Sequence, residues 1–265
     1  MIETRKTILE RVKKATVAVA YLHTANSDEP FTIVGSGFCI DPTGVVITCR
    51  HVVEAFMSKT IAQQIAEATP RKNPNAPQAM SPGNMVIPYA IFYDIERSSE
   101  NVFVMPVCPK NLIAITDKDL AAIQLLPHTS FPHGYPFLGI EEFYNISEGD
   151  EIGVCGFPLG NYLFKQLGTV TSSFTKGILS SVIPAANVKT EYLRGFQLNV
   201  TATNGNSGGP VFSLSSGKVF GVLTKAVVHT DGNFVQGLVT AESVYPVTEP
   251  DFMRRLKTAP ETVFS

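Results

Sequence analysis

No stretch of this chain approaches the ~20 consecutive apolar residues that a membrane-spanning helix needs, so no membrane partner is expected. Charge of one sign is also missing. The 21 Lys and Arg and the 23 Asp and Glu are interspersed and leave a net charge of −2, so there is no electrostatic footprint for nucleic acid. The four cysteines, Cys39, Cys49, Cys108 and Cys155, form no C-x-x-C pair, which argues against a zinc site and leaves no metal or other cofactor expected. They stand in or beside apolar runs, as buried free thiols do. With no convincing export signal, a reducing cytoplasm is the simplest location. Helix signals are scarce, and neither an internal repeat nor a low-complexity tail is visible.

What is present is a long series of strand signals. At 265 residues, 44% hydrophobic and 17% charged, the chain can bury a substantial core as one large domain or two small ones. A first set of runs comprises "TVAVAYLH", "TIVGSGFCI", "GVVITCRHVV", "VIPYAIFYDI", "NVFVMPVCP" and "LAAIQLL". After the turn-rich "PHTSFPHGYPFLG" a second set follows: "EIGVCGF", "GTVTSSF", "FQLNVTA", "GPVFSL", "KVFGVLTKAVV" and "FVQGLVTA". Val, Ile, Phe, Thr and Tyr dominate both, as pleated and half-buried surfaces favour. "DPTG" and "SSGK" have the composition of hairpin turns. The expected fold class is all-β: two six-stranded antiparallel β-barrels with few helices. Residues 1–135 would hold the first barrel and residues 136–265 the second.

The N-terminus needs separate treatment. "RVKKATVAVAYLHTA" places basic residues before a short apolar run, as a signal peptide does. The alternation of Val17, Val19 and Tyr21 reads better as a first strand. Upstream, Thr7 and Glu10 fit a capping box, and Ile8, Val12 and Ala15 share one helical face, so a short helix should lead into that strand. This helix could join subunits in a homo-oligomer, although nothing in its pattern requires that. Residues 52–68 should form a second helix, 69–84 a loop rich in Pro, Asn and Ala, and "EPDFMRRLKTA" a last short helix.

One stretch stands apart from this framework. "TNGNSGGPVF" is poor in helix and strand formers and must turn tightly, yet it displays one hydroxyl, Ser207, before an apolar strand. A hydroxyl becomes a useful nucleophile when a base takes its proton and a third group orients the base. Of the five histidines, His51 sits where the strand "GVVITC" meets "HVVEAF", a strand-to-helix corner that would fix the ring on a rigid scaffold. Asp119 directly precedes the buried strand "LAAIQLL", where a carboxylate must be paired or hydrogen-bonded; Asp117 is the fallback. The order His51, Asp119, Ser207 is the one used by double β-barrel proteases. The first barrel would carry the histidine and aspartate, the second the serine, with the site between them.

These segments also carry a family resemblance. "GNSGGP", "TCRHVV" and "DLAAIQL" resemble the serine, histidine and aspartate motifs of the chymotrypsin-like (trypsin-like) serine proteases. "GSGFCI", "GVCGFPLG", "VTSSFTKGILSSV" and "GLVTAESV" are most similar to the HtrA/Deg branch. The resemblance runs in order over most of residues 17–247. It implies a serine endopeptidase acting on polypeptides through an acyl-enzyme. Ser207 would attack, His51 would shuttle the proton, Asp119 would orient the ring, and the N–H groups of Gly205 and Ser207 would form the oxyanion hole. It further implies that Thr224 supports the aspartate. Thr201, Ala202, Thr203, Asn204, Thr224, Lys225 and Ala226 would line the substrate pocket.

Thr201 stands where trypsin-like enzymes carry an aspartate, so a small or medium uncharged residue is the expected preference at the cleavage site. Asn199 stands where the HtrA branch often carries an aspartate. The chain ends about 18 residues past Val247, so PDZ tethering is not implied. The segment 52–101 is long for the family and could be a lid or a partner surface. Cys49 has no partner cysteine at the family's spacing, which leaves a free thiol beside the histidine and the idea of a redox role. Two other readings compete. A non-catalytic or latent module on the same fold would usually lose one of the three residues. An esterase would more naturally show G-x-S-x-G on an α/β pattern.

Overall fold

The computed structural model describes residues 4–23, 31–54, 86–96, 99–107, 112–115, 118–142, 145–167, 171–184, 193–228, 234–248 and 250–257. The chain begins with α1 (Arg5–Ala15), which buries Ile8, Val12 and Ala15 as their spacing predicts. Its cap differs from the expectation. Thr4, not a Thr7–Glu10 box, is the N-cap, and its Oγ1 accepts the Thr7 N–H at 3.3 Å. The helix starts earlier because Thr4 takes the extended backbone a cap requires (φ −78°, ψ 154°), leaving Thr7 already inside the first turn.

Seven antiparallel strands follow: β1 (Thr16–His23), β2 (Thr32–Asp41), β3 (Val45–Thr48), β4 (Val86–Glu96), β5 (Ser99–Pro106), β6 (Leu112–Ile115) and β7 (Leu120–Gln124). They form one sheet in the order β5-β4-β1-β2-β3-β7-β6. The sequence suggests six strands here. The additional one is β6, whose four residues "LIAI" are too short to announce themselves and are held by pairing with β7. The second set closes as expected: β8 (Glu151–Gly156), β9 (Ser173–Pro184), β10 (Leu193–Asn199), β11 (Pro210–Ser213), β12 (Val219–Val228) and β13 (Phe234–Ser243) form a six-stranded barrel. β9 begins at the end of the expected "GTVTSSF" run rather than spanning it. The described residues also form α2 (Gly160–Leu167) and α3 (Pro250–Lys257), besides a helical turn at residues 50–54 and a 3-10 turn at Tyr245–Thr248.

β1 shows why the interior holds together. Val17, Val19 and Tyr21 face one apolar cluster and Ala18 and Ala20 face another, so the period-2 alternation of a strand is buried on both sides. The first cluster runs from the sheet, through Phe38, Ile47 and Ile123, to Phe212, Val219 and Val222 of the barrel, and takes in Leu256 of α3. A second fills the barrel with Ile152, Leu179, Phe196, Leu198 and Phe220. "DPTG" and "SSGK" are the turns between β2 and β3 and between β11 and β12, with Gly44 and Gly217 at φ 92° and 69°.

α2 is not foreseen in the sequence. It is pinned to β2 by one side chain: Asn161 Nδ2 donates to Ile33 O at 2.9 Å, and Asn161 Oδ1 accepts from Ile33 N. Of the expected helix over 52–68, residues 52–54 are helical; 55–68, the loop at 69–84, and Asp117, Cys108 and His229 lie outside the described residues. Among the described residues no helix is long and apolar enough to cross a membrane.

Cys39, Cys49 and Cys155 are free and buried. Burial pushes the Cys39 thiol up to about 12 and also raises that of Cys155. Both are therefore neutral thiols at pH 8, and iodoacetamide at that pH should alkylate neither until denaturant is added, as followed by mass spectrometry. Ile8→Ala should lower the unfolding free energy by about 2–5 kcal/mol in urea titrations, because Ile8 is 2% exposed against the sheet, whereas Lys6→Ala should change it by less than ~0.5 kcal/mol.

Candidate active site

β3 and β7 are neighbours in the sheet, with Thr48 opposite Ala121. The chain leaving β3 and the chain entering β7 therefore emerge side by side at one end. His51 comes three residues after that rung and Asp119 two residues before it. Residues 50–54 turn into helix at once, with Val52 and Val53 each 1% exposed, so the corner carrying His51 is anchored in the core. Asp119 directs both carboxylate oxygens at this one residue. Oδ1 accepts the His51 backbone N–H at 3.0 Å, and Oδ2 lies 2.7 Å from Nδ1. A carboxylate beside Nδ1 selects the tautomer that carries its proton there and leaves Nε2 as the acceptor. The histidine ring is half-exposed and the aspartate mostly covered.

Ser207 arrives from the barrel on the loop between β10 and β11. Asn206 N–H closes a turn onto Thr203 O at 3.1 Å, with Gly205 at φ 98° in its third position, the place where a type II turn needs glycine. Gly208 follows at φ 87°. A Cβ on Gly205 would lie 2.3 Å from Phe157 O, and one on Gly208 would lie 2.0 Å from Ser36 O. The two glycines are thus required by both the dihedral angle and the space.

The carbonyls from Thr203 to Ser207 are all engaged. Asn204 O accepts from Leu159 N–H (2.8 Å), Asn206 O from Gly209 N–H (3.0 Å) and Ser207 O from Ser36 N–H (2.7 Å). Gly205 O accepts from Ser36 Oγ at 2.6 Å. In a trans peptide the N–H points opposite to the C=O. Fixing Asn204 O and Asn206 O therefore aims the N–H groups of Gly205 and Ser207 away from those contacts. No acceptor among the described residues takes either of them.

The Ser207 hydroxyl donates to Thr224 O at 2.9 Å, and no hydrogen bond joins it to His51. Thr224 also departs from its expected role as support for the aspartate. Its Oγ1 lies 3.0 Å from Thr240 O and 3.1 Å from Thr240 Oγ1, on the neighbouring strand β13. Pairing inside the barrel satisfies the hydroxyl before Asp119 can. Of the expected pocket residues, Thr224 is buried beside Ser207, Thr201, Thr203 and Asn204 are exposed, and Ala202 is half-buried. Lys225 and Ala226 continue β12, and their side chains lie outside the described residues.

Cys49 is the free thiol expected beside the histidine. Its Sγ, a nitrogen of His51 and an oxygen of Asp119 all lie within 4.8 Å of one another. The donor atoms of that group are already matched, however. His51 and Asp119 bond each other, and Cys49 Sγ donates to Leu223 O at 3.2 Å.

Two residues at the site were not singled out by sequence reasoning. Ser36 stands between the two glycines of "GSGF", a signal for close backbone approach that could have marked it. Leu159, whose N–H holds Asn204 O, has φ 51°, a left-handed conformation unusual for leucine that sequence does not reveal.

Residues 35–222 match the trypsin-like peptidase domain family. No curated protein matches the sequence. Among solved structures, the HtrA-type protease AlgW with decapeptide is similar in fold at 14% identity. Its TM-score is 0.63, over 97% of this chain and 69% of that one. Deg5 is similar at 16% identity with a TM-score of 0.59, over 92% and 90%.

The geometry itself can be tested without any substrate. The proton between His51 Nδ1 and Asp119 Oδ2, which lie 2.7 Å apart, should give a strongly downfield exchangeable resonance in a proton NMR spectrum. Asp119→Asn should remove that resonance, and Ser207→Ala should leave it in place.

Proposed function

Because the chain belongs to the trypsin-like peptidase domain family, we propose that it is a serine endopeptidase working through Ser207, His51 and Asp119. The observation that carries this reading is the double contact of Asp119 with His51, which leaves Nε2 as the ring's proton acceptor. In the reaction, Ser207 turns about χ1 away from Thr224 O and its Oγ attacks the scissile carbonyl while Nε2 takes the proton. The developing oxyanion is received by the N–H groups of Gly205 and Ser207. Imidazolium, stabilised by Asp119, returns the proton to the leaving amine. Water then repeats the sequence to release the acyl-enzyme.

The substrate is a polypeptide chain. Thr201, Ala202, Thr203, Asn204, Thr224, Lys225 and Ala226 supply the walls of its side-chain pocket. No acid stands at Thr201, which favours a small or medium uncharged residue before the cut. One observation favours a latent variant of this reading: the resting nucleophile gives its hydrogen bond to Thr224 O rather than to the histidine.

Treatment with a fluorophosphonate probe and with casein separates the readings. Wild type should be labelled and should cleave casein, and Ser207→Ala should do neither. Labelling without cleavage would indicate latency or an esterase, and no labelling at all would favour a binding module. Asp119→Asn should reduce the rate on the order of 10⁴-fold, about 5.5 kcal/mol of transition-state stabilisation, since the ring loses its tautomer.

A further inference from the structure

We infer that Ser36 is a positioning residue that sets the oxyanion hole from the opposite unit of the fold, an inference that rests on the serine-peptidase reading above. Ser36 lies on β2 of the seven-stranded sheet and is fully buried. Every polar atom it owns reaches the site. Its N–H donates to Ser207 O at 2.7 Å, and its carbonyl accepts from Thr48 Oγ1 at 2.6 Å, three residues before His51. Its Oγ donates to Gly205 O at 2.6 Å and accepts the Phe157 N–H at 2.9 Å.

The two peptides that present the hole's N–H groups are Asn204–Gly205 and Asn206–Ser207. Ser36 grips the peptides that alternate with them, Gly205–Asn206 through its hydroxyl and Ser207–Gly208 through its N–H. The Gly205–Asn206 plane is then clamped at both ends, because its N–H also closes onto Thr203 O. The hydroxyl reaches the hole by a second route. By accepting from Phe157 it holds the turn 157–159, and Leu159 of that turn fixes Asn204 O and so the direction of the Gly205 N–H. One oxygen thus governs both sides of the Gly205 donor.

Removing the hydroxyl leaves the Phe157 N–H and Gly205 O without this partner in a buried place. The Gly205 peptide is then free to turn its N–H out of the hole. Removal of a whole donor typically costs ~10²–10³ in rate. Loosening one should cost less, about 10–10²-fold in kcat, with KM little changed because the ground-state carbonyl gains little from the hole.

The test compares Ser36→Ala with wild type on N-benzoyl-alanine methyl ester and on its thiono analogue, whose sulfur is a poor hydrogen-bond acceptor. Wild type should prefer the oxygen ester strongly. In Ser36→Ala the oxygen ester should slow by the factor above while the thiono ester slows little, so the preference contracts. Equal slowing of both esters, or an unchanged oxygen-ester rate in a variant whose melting curve is cooperative, would overturn the inference. If Ser36→Ala does not fold, Ser36→Cys decides by the same ratio: its weaker S–H donor should give an intermediate contraction, and an unchanged ratio would overturn the inference. Wild type that neither takes up fluorophosphonate nor hydrolyses the ester would overturn the peptidase reading and this inference with it. An active wild type with an unmoved ratio in the variant overturns the role of Ser36 alone.

Discussion

The arrangement depends on one contact, the close meeting of two backbones. Strand β2 of the sheet and the loop before β11 of the barrel approach so closely that Ser36 O lies 2.0 Å from the position of a Gly208 Cβ, and Ser207 O lies 2.9 Å from the position of a Gly35 Cβ. Hydrogen bonds from Ser36 N and Oγ cross the seam. Backbone groups buried there must find partners, and here they find each other. The sheet thereby presents His51 and Asp119 at the margin where the barrel presents Ser207. A bulkier join would separate the two halves of the site by the width of a side chain.

Rigidity on the sheet side comes from ordinary strand pairing. β3 and β7 fix the relative height of His51 and Asp119 before any specific bond forms between them, and the double contact then only refines the ring's orientation. On the barrel side the loop is fixed by its carbonyls rather than by its side chains. That choice leaves N–H groups available, the polarity that an oxyanion needs. It also explains why the loop contains so little that can pack: three of the seven residues from Thr203 to Gly209 are glycine, and their positions are set by dihedral angle and approach distance.

The sequence is most informative where structure is local. β1 matches its apolar run end to end, the buried face of α1 follows from its i, i+4, i+7 spacing, and both hairpin turns sit where Pro and Gly put them. His51, Asp119 and Ser207 stand out in the sequence because each combines a chemical group with a strand boundary, and the structure pairs the first two. The features that escape are those decided by partners distant in the chain. β6 exists through its neighbour β7, and α2 through the amide of Asn161 on Ile33. Thr224 bonds Thr240 on the next strand instead of the aspartate, a choice made by barrel register that no single segment encodes. Ser36 shows the same limit: its motif is visible, but what its hydroxyl touches lies 121 and 169 residues away.

The seam has a consequence for how this chain can drift. Neighbours in fold share only 14–16% of their residues with it, so most positions in such an architecture can change. Tolerance of that kind operates through side chains, which can be exchanged, shortened or turned. At Gly35, Gly205, Gly208 and Gly209 there is no side chain to exchange, and the space for one is occupied by main-chain atoms or by anchored core. Substitution there cannot be absorbed by repacking, because main chain does not repack. Variation in the molecule is therefore routed around a narrow line of positions that belongs to neither unit and joins both.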